Sequence, residues 1–131
     1  MSNFVGQFKD KDGNILFPEI AEIGTFGEGE YIKFENGWAI VLHKQSYTAQ
    51  TSIGFAGGLY RSPSFPIGDF PFPFTKLPLI EVTSHNTNDG LLWGSCYNER
   101  TLTSFPRYIV YAAENSNKNF VLSCLAIGMW K

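Results

Sequence analysis

From Glu30 onward, apolar and polar residues alternate in short runs cut by Gly, Pro and Asn. No window of eleven or more residues carries the i, i+3, i+4, i+7 apolar spacing of an amphipathic helix, so the pattern predicts an all-β chain. Residues 30–35 and 38–48 read as strands joined at Asn36-Gly37, an Asn-Gly pair between apolar runs being the strongest short-range hairpin signal. Further strands are expected over 53–60, 79–85, 91–97, 108–113 and 120–130. About seven short strands separated by turn-rich links predict a small antiparallel β-sandwich.

Two segments depart from simple alternation. The last run, FVLSCLAIGMW, is apolar at both parities, which predicts a strand covered on both faces. Residues 63–78 contain SFPIGDFPFPF, where prolines remove ladder donors and fix φ; a central strand is excluded. An extended edge or crossover anchored by Phe65, Phe70, Phe72 and Phe74 is expected instead. Residues 1–28 are more polar and read as a lead-in to a domain spanning 29–131.

The 131 residues suffice for one domain with a real core. Ten Lys and Arg against twelve Asp and Glu give a net charge of −2, which disfavours binding to nucleic acid through a basic face or to an anionic membrane. No stretch approaches the ~18 apolar residues of a membrane span, and the N-terminus shows no secretory signal. Charged residues are scarce at 17% while aromatics reach 16%, more apolar surface than a lone monomer needs. Cys96 and Cys124, far apart in strand-like runs, read as two buried thiols rather than a disulfide. No metal or cofactor is expected; His43 and His85 stand without a second ligand at metal-site spacing, and at most one of them supplies one ligand per chain on a symmetry axis.

Catalytic chemistry finds little support. The stretch Asp10-Lys11-Asp12-Gly13-Asn14 begins like a calcium loop, but position 21 is Ala where a bidentate Glu is needed. There is no G-x-S-x-G elbow and no Cys–His protease signature. Glu81, Asp89 and Glu99 are the carboxylates a glycosidase would draw on, yet Glu81 reads more simply as a solvent-facing strand residue. The chain is not expected to be an enzyme.

Binding chemistry fares better. If the last four strands form a meander, the links at 86–90 and 114–119 emerge at one end and the link at 98–107 at the other. The first end carries His85, Asn86, Asn88 and Asp89, with Trp93 in the following strand; the second carries Tyr97, Asn98, Glu99, Arg100 and Arg107. Short amides and carboxylates pair with sugar hydroxyls, and an aromatic face such as Trp93 or Tyr97 stacks on a pyranose. The ligand-binding candidates are therefore His85, Asn86, Asn88, Asp89, Trp93, Tyr97, Arg100 and Arg107, although turn-forming residues of these types also occur without any ligand.

The succession YIKFENGWAIVLHK, LYRSPSFPIGDFPFPFTKLPLIEV, a short strand at Trp93 and the closing LAIGMWK resembles the C-terminal receptor-binding domain of bacteriophage tail-fibre and other tail structural proteins. The resemblance covers about residues 29–131, and Met129 stands where the family's closing motif usually has a basic residue. It implies an H-type-lectin-like sandwich of six to seven strands, assembled as a homotrimer at the tip of a fibre in a virion tail or phage-derived particle. It further implies recognition of bacterial surface carbohydrate and attachment to the remainder of the fibre, with residues 1–28 as the end of a stalk. The alternative is a tail or baseplate component serving assembly alone. The family has no catalytic motif to carry over onto these residues.

Overall fold

Alternation governs the architecture of the computed structural model, which describes residues 11–13, 19–54, 56–87 and 91–131. Among the described residues there is no helix. Strands follow in the order β1 (Ile20–Phe26), β2 (Gly29–Phe34), β3 (Trp38–Gln50), β4 (Ile53–Gly54), β5 (Tyr60–Arg61), β6 (Leu79–Asn86), β7 (Trp93–Cys96), β8 (Tyr108–Ala112) and β9 (Asn117–Met129). They form two antiparallel sheets, β1-β2-β3-β9-β6 and β4-β5-β8-β7. The chain is an all-β sandwich, as its pattern predicts.

The predicted hairpin closes at Gly37, whose φ of 99° and N–H to the Phe34 carbonyl (3.0 Å) let β3 return along β2. Over 53–60 the chain does not form one strand. Gly57 and Gly58 both take positive φ, Leu59 N–H bonds the Ala56 carbonyl, and the segment splits into the small hairpin β4–β5. β1 is a further addition: Ile20–Phe26, within the stretch read as a lead-in, pairs along β2 as an edge strand. Its burial is slight, with Ile23 66% exposed, which is why its sequence carries a weak strand signal.

The last four strands do not make a meander. β6 lies beside β9 in the larger sheet, whereas β7 and β8 pair in the smaller one, so the chain changes sheet twice. The end of β6 and the link at 113–116 nevertheless share one end of the sandwich: Thr87 N–H bonds the Asn119 carbonyl there. At the opposite end Arg100 Nε–H bonds the Pro78 carbonyl.

The core lies between the sheets. Ala39 and Val41 of β3 and Phe120, Leu122, Cys124 and Ala126 of β9 face Tyr108 and Val110 of β8. The phenylalanine-proline segment crosses between the sheets as expected. Phe70, Phe72 and Phe74 are buried, Phe65 bridges to Tyr108, and the ring of Phe70 meets Phe105 at 4.7 Å. Backbone bonds from Phe70 and Phe74 N–H to the Thr103 and Leu102 carbonyls, both 2.8 Å, fasten this segment to the 97–107 link.

Cys96 corrects the expectation of two buried thiols. It is exposed, because β7 is an edge strand only four residues long, whereas Cys124 is buried in the central strand. The outer face of β9 is also unlike expectation: among the described residues Leu125, Ile127 and Met129 are only half-buried.

Lys118 is 2% exposed and donates to Glu114 Oε1 at 2.6 Å. That hydrogen bond, and then the Lys118 charge, hold the Glu114 carboxyl below its usual range. A lowered folded-state pKa contributes stability that is present above the ordinary carboxylate pKa and lost as pH falls through the folded value. Thermal stability is therefore expected to fall on acidification below about pH 4.5. In Glu114→Gln the melting temperature should be lower at neutral pH and this acid limb shallower; parallel melting-temperature curves for the two proteins across pH 3–7 would remove the assignment.

Candidate functional site

The residues proposed from loop position fall into three places. Tyr97, Asn98, Glu99 and Arg100 come together in an open groove of about 650 Å³, whose remaining walls are Leu79, Ile80, Cys96 and Pro106. His85 and Asn86 lie at the other end of β6, six residues beyond Leu79, or ~20 Å along a strand. Trp93 is on the outer face of the smaller sheet, stacked on Tyr111 with ring centroids 6.1 Å apart. Asn88 and Asp89 lie outside the described residues.

The groove is built on a stiffened loop. Thr101 Oγ1 accepts N–H bonds from Thr103 and Ser104, closing a local turn. Asn98 Oδ1 accepts from Arg107 N–H at 2.7 Å, leaving the amide N–H₂ as a donor. The Arg107 guanidinium is engaged by Ser64, through Oγ at 3.0 Å and the carbonyl at 2.7 Å, so its role is to tie the loop to the crossing segment. Arg100 binds the Pro78 carbonyl through Nε and Glu99 through Nη1. With five N–H groups in its fork, it retains donors beyond these two. Tyr97 is 58% exposed and presents an open ring beside them.

Sequence reasoning missed the apolar part of this groove. Leu79 and Ile80 read only as the start of a strand, and their approach to Tyr97 follows from β6 joining the larger sheet, a pairing that alternation does not specify.

A second hollow, about 440 Å³, lies on the larger sheet among Glu28, Glu30, Leu42, Lys44, Glu81 and Leu125. Glu81 faces solvent, as expected. Glu30 and Glu81 occupy one row across β2, β3, β9 and β6. Three interstrand steps of ~4.8 Å put their Cα atoms ~14 Å apart, with Leu42 and Leu125 in the row between them. Glu99 lies in the other groove.

The thiols and histidines do not extend the chemistry. Burial, and then Cys96, pushes the Cys124 thiol up to about 12, and burial followed by Glu81 raises Cys96, so both are protonated at neutral pH. His43 faces the sandwich interior, stacked on Phe26 at 6.0 Å and tilted to Phe105 at 6.2 Å. Neither of its ring nitrogens has a hydrogen-bond partner among the described residues. His85 is exposed on β6, so the two histidines are not drawn together; among the described residues no three His, Cys, Asp or Glu side chains form a metal-binding group.

These features define a two-sheet antiparallel sandwich, laced by a phenylalanine-proline crossing, with a groove at one end. A similar fold occurs in pyocin tail fibres. The chain is similar to a C-terminal portion of the P. aeruginosa R1 pyocin fibre, with a TM-score of 0.51 and 12% identity over 82% of this chain and 28% of that one. It is similar to the same degree to an N-truncated R1-type pyocin tail fibre, covering 82% of this chain and 84% of that one. The chain thus spans less than a third of the longer fibre fragment. No family model matches the chain, and no curated protein matches it.

Proposed function

We propose that this chain is the tip domain of a phage or phage-derived tail fibre and binds bacterial surface glycan, without catalysis, as a homotrimer. The observation that carries the reading is the groove that gathers Tyr97, Asn98, Glu99 and Arg100 over an apolar floor. An open tyrosine ring suits the C–H face of a pyranose, and the amide, carboxylate and guanidinium around it supply acceptor and donors for its hydroxyls. The likeness of the fold to pyocin fibres supports the fibre context, attachment to the remainder of a fibre and a place in a tail particle. A groove this open gives weak single-site affinity, which three linked copies raise through effective concentration, in the manner of a lectin.

The test is binding of the purified chain to host cells and to an array of bacterial glycans. Tyr97→Ala and Arg100→Ala are each expected to weaken binding at least tenfold while the far-UV circular dichroism spectrum is kept. A loss confined to Trp93→Ala would instead move the site to the outer face of the smaller sheet. Parent-like binding by all three variants would move the site away from both surfaces, and absence of saturable binding by the parent would leave the assembly-only reading in place.

A further inference from the structure

Charge is divided unevenly between the two sheets. The strands of the larger one hold both signs, with Glu22, Glu30 and Glu81 against Lys33, Lys44 and Lys118. Those of the smaller one, β4, β5, β7 and β8, contain no Asp or Glu and a single cation, Arg61. The register sets Arg61 in a row across that sheet: Ile53 pairs with Arg61, Arg61 with Tyr111 and Tyr111 with Trp93. Because Tyr108, Val110 and Ala112 of β8 are buried against the core, alternation turns Tyr111, and the row with it, to the outer face.

Arg61 is partly buried and forms no ion pair with a carboxylate among the described residues. Its hydrogen bond from Nη1 to the Ser62 carbonyl, 3.2 Å long, occupies one of five N–H groups. None of its nitrogens is both buried and unpaired, so the other donors reach solvent. Arg107, two residues before Ile109 and of the same parity as Tyr111, adds a second guanidinium that Ser64 holds without a carboxylate. A cation withdrawn from water without a counter-ion is unfavourable, and an anion arriving from solution relieves it.

An aromatic pair lies beside this charge. The rings of Trp93 and Tyr111 are 19° from parallel, and Trp93 is 40% exposed. Ser95 Oγ and Tyr111 Oη share a hydrogen bond of 3.2 Å, which fixes the phenol and leaves the serine hydroxyl able to make another. Trp, Tyr and Arg together are the side chains that dominate recognition surfaces. An indole face, a hydroxyl and an uncompensated guanidinium suit a pyranose that bears a negative group. The Tyr97 groove suits such a unit less, because Glu99 already stands 3.1 Å from the Arg100 guanidinium there.

We propose that the outer face of the smaller sheet, at Arg61, Tyr111 and Trp93, is a second saccharide site and takes an acidic sugar, one with a carboxylate or phosphate on its ring. Trp93 stands four residues from Tyr97, ~13 Å at the rise of a strand. An uncharged unit in the groove and an acidic unit on this face can therefore belong to one glycan. That the ligand is a saccharide rests on the reading above; the place of the site and its preference for negative charge rest on Arg61 and the acid-free sheet.

The test is a glycan array probed with the full chain and printed in pairs, each carboxylate-bearing saccharide beside its carboxyl-reduced form and each phosphorylated one beside its dephosphorylated form. The parent is expected to bind the acidic member of at least one pair at least tenfold more tightly at low salt, and to lose that advantage near 1 M salt, where charges are screened within about 3 Å. A preference within either kind of pair supports the site and names its anion. Arg61→Gln and Trp93→Ala are each expected to abolish the preference while uncharged binding and the circular dichroism spectrum are kept. If Arg61→Gln does not fold, Trp93→Ala, at an exposed side chain, reads the same face. No preference in the parent, or one that survives in the folded variants, overturns the proposal. If Tyr97→Ala leaves uncharged binding untouched while the acidic preference still needs Arg61, the groove is refuted and this face stands; if the parent binds no saccharide, both fall.

Discussion

Phe74→Ala should lower the free energy of unfolding by about 3–5 kcal/mol, the range for deleting a buried aromatic ring when the site cannot collapse. Phe74 is 2% exposed; its ring stands edge-on to Phe70 at 5.0 Å and beside Phe72 at 5.1 Å. It also rests on the bare backbone of Gly128, where a Cβ would lie 2.9 Å from Cδ1 of the ring. The walls are fixed by the bond from Phe74 N–H to the Leu102 carbonyl and by the β9 ladder, so relaxation fills little of the void. Urea unfolding followed by tryptophan fluorescence, at matched protein concentration, measures the loss. A change under about 1 kcal/mol would mean that the crossing segment repacks, and that the groove loop fastened to it is less rigid than described.

Gly29→Ala is the second large effect, expected at about 1–3 kcal/mol through overpacking. Gly29 lies at the start of β2, opposite His43. An added Cβ would stand 2.5 Å from the Phe26 ring and 2.6 Å from the Leu42 carbonyl oxygen. The ring can swing; the carbonyl belongs to the sheet backbone and cannot move without opening the β2–β3 ladder. Gly54→Ala provides the contrast, since its Cβ would meet only the Tyr60 ring at 3.9 Å. Equal melting temperatures for the two variants would show that the close approach at Gly29 carries no cost.

Much of this architecture can be read from residue pattern alone. Asn36-Gly37 marks a turn because few side chains tolerate that backbone, and the prolines of 63–78 forbid a central strand whatever surrounds them. What alternation does not contain is the identity of the neighbouring strand. The inward residues Ile80, Val82 and Ser84 of β6 would face the core equally well beside β7 as beside β9, and the chain takes the second arrangement. The same blindness scattered the candidate site. Tyr97 and Arg100 were placed together because they share one short loop, whereas Leu79 depends on sheet membership. Trp93 was included for its type, but its ring is turned to Tyr111 on another surface. Arg107 was grouped with the ligand loop by proximity in sequence, while its hydrogen bonds make it a brace to Ser64.

The turn at Glu35–Gly37 has a mechanical consequence. Glu35 N–H bonds the Glu19 carbonyl, Trp130 N–H bonds the Gly37 carbonyl, and Lys131 pairs with Glu35 at 3.7 Å, so the chain arrives and leaves within one turn of itself. Leu79 and the groove lie toward this same end of the larger sheet. Under the proposed glycan-binding role, tension between a ligand in the groove and the chain leading in at Glu19 would run across this end alone. The far half of the sandwich, with β4 and the β8–β9 link, would lie outside that path.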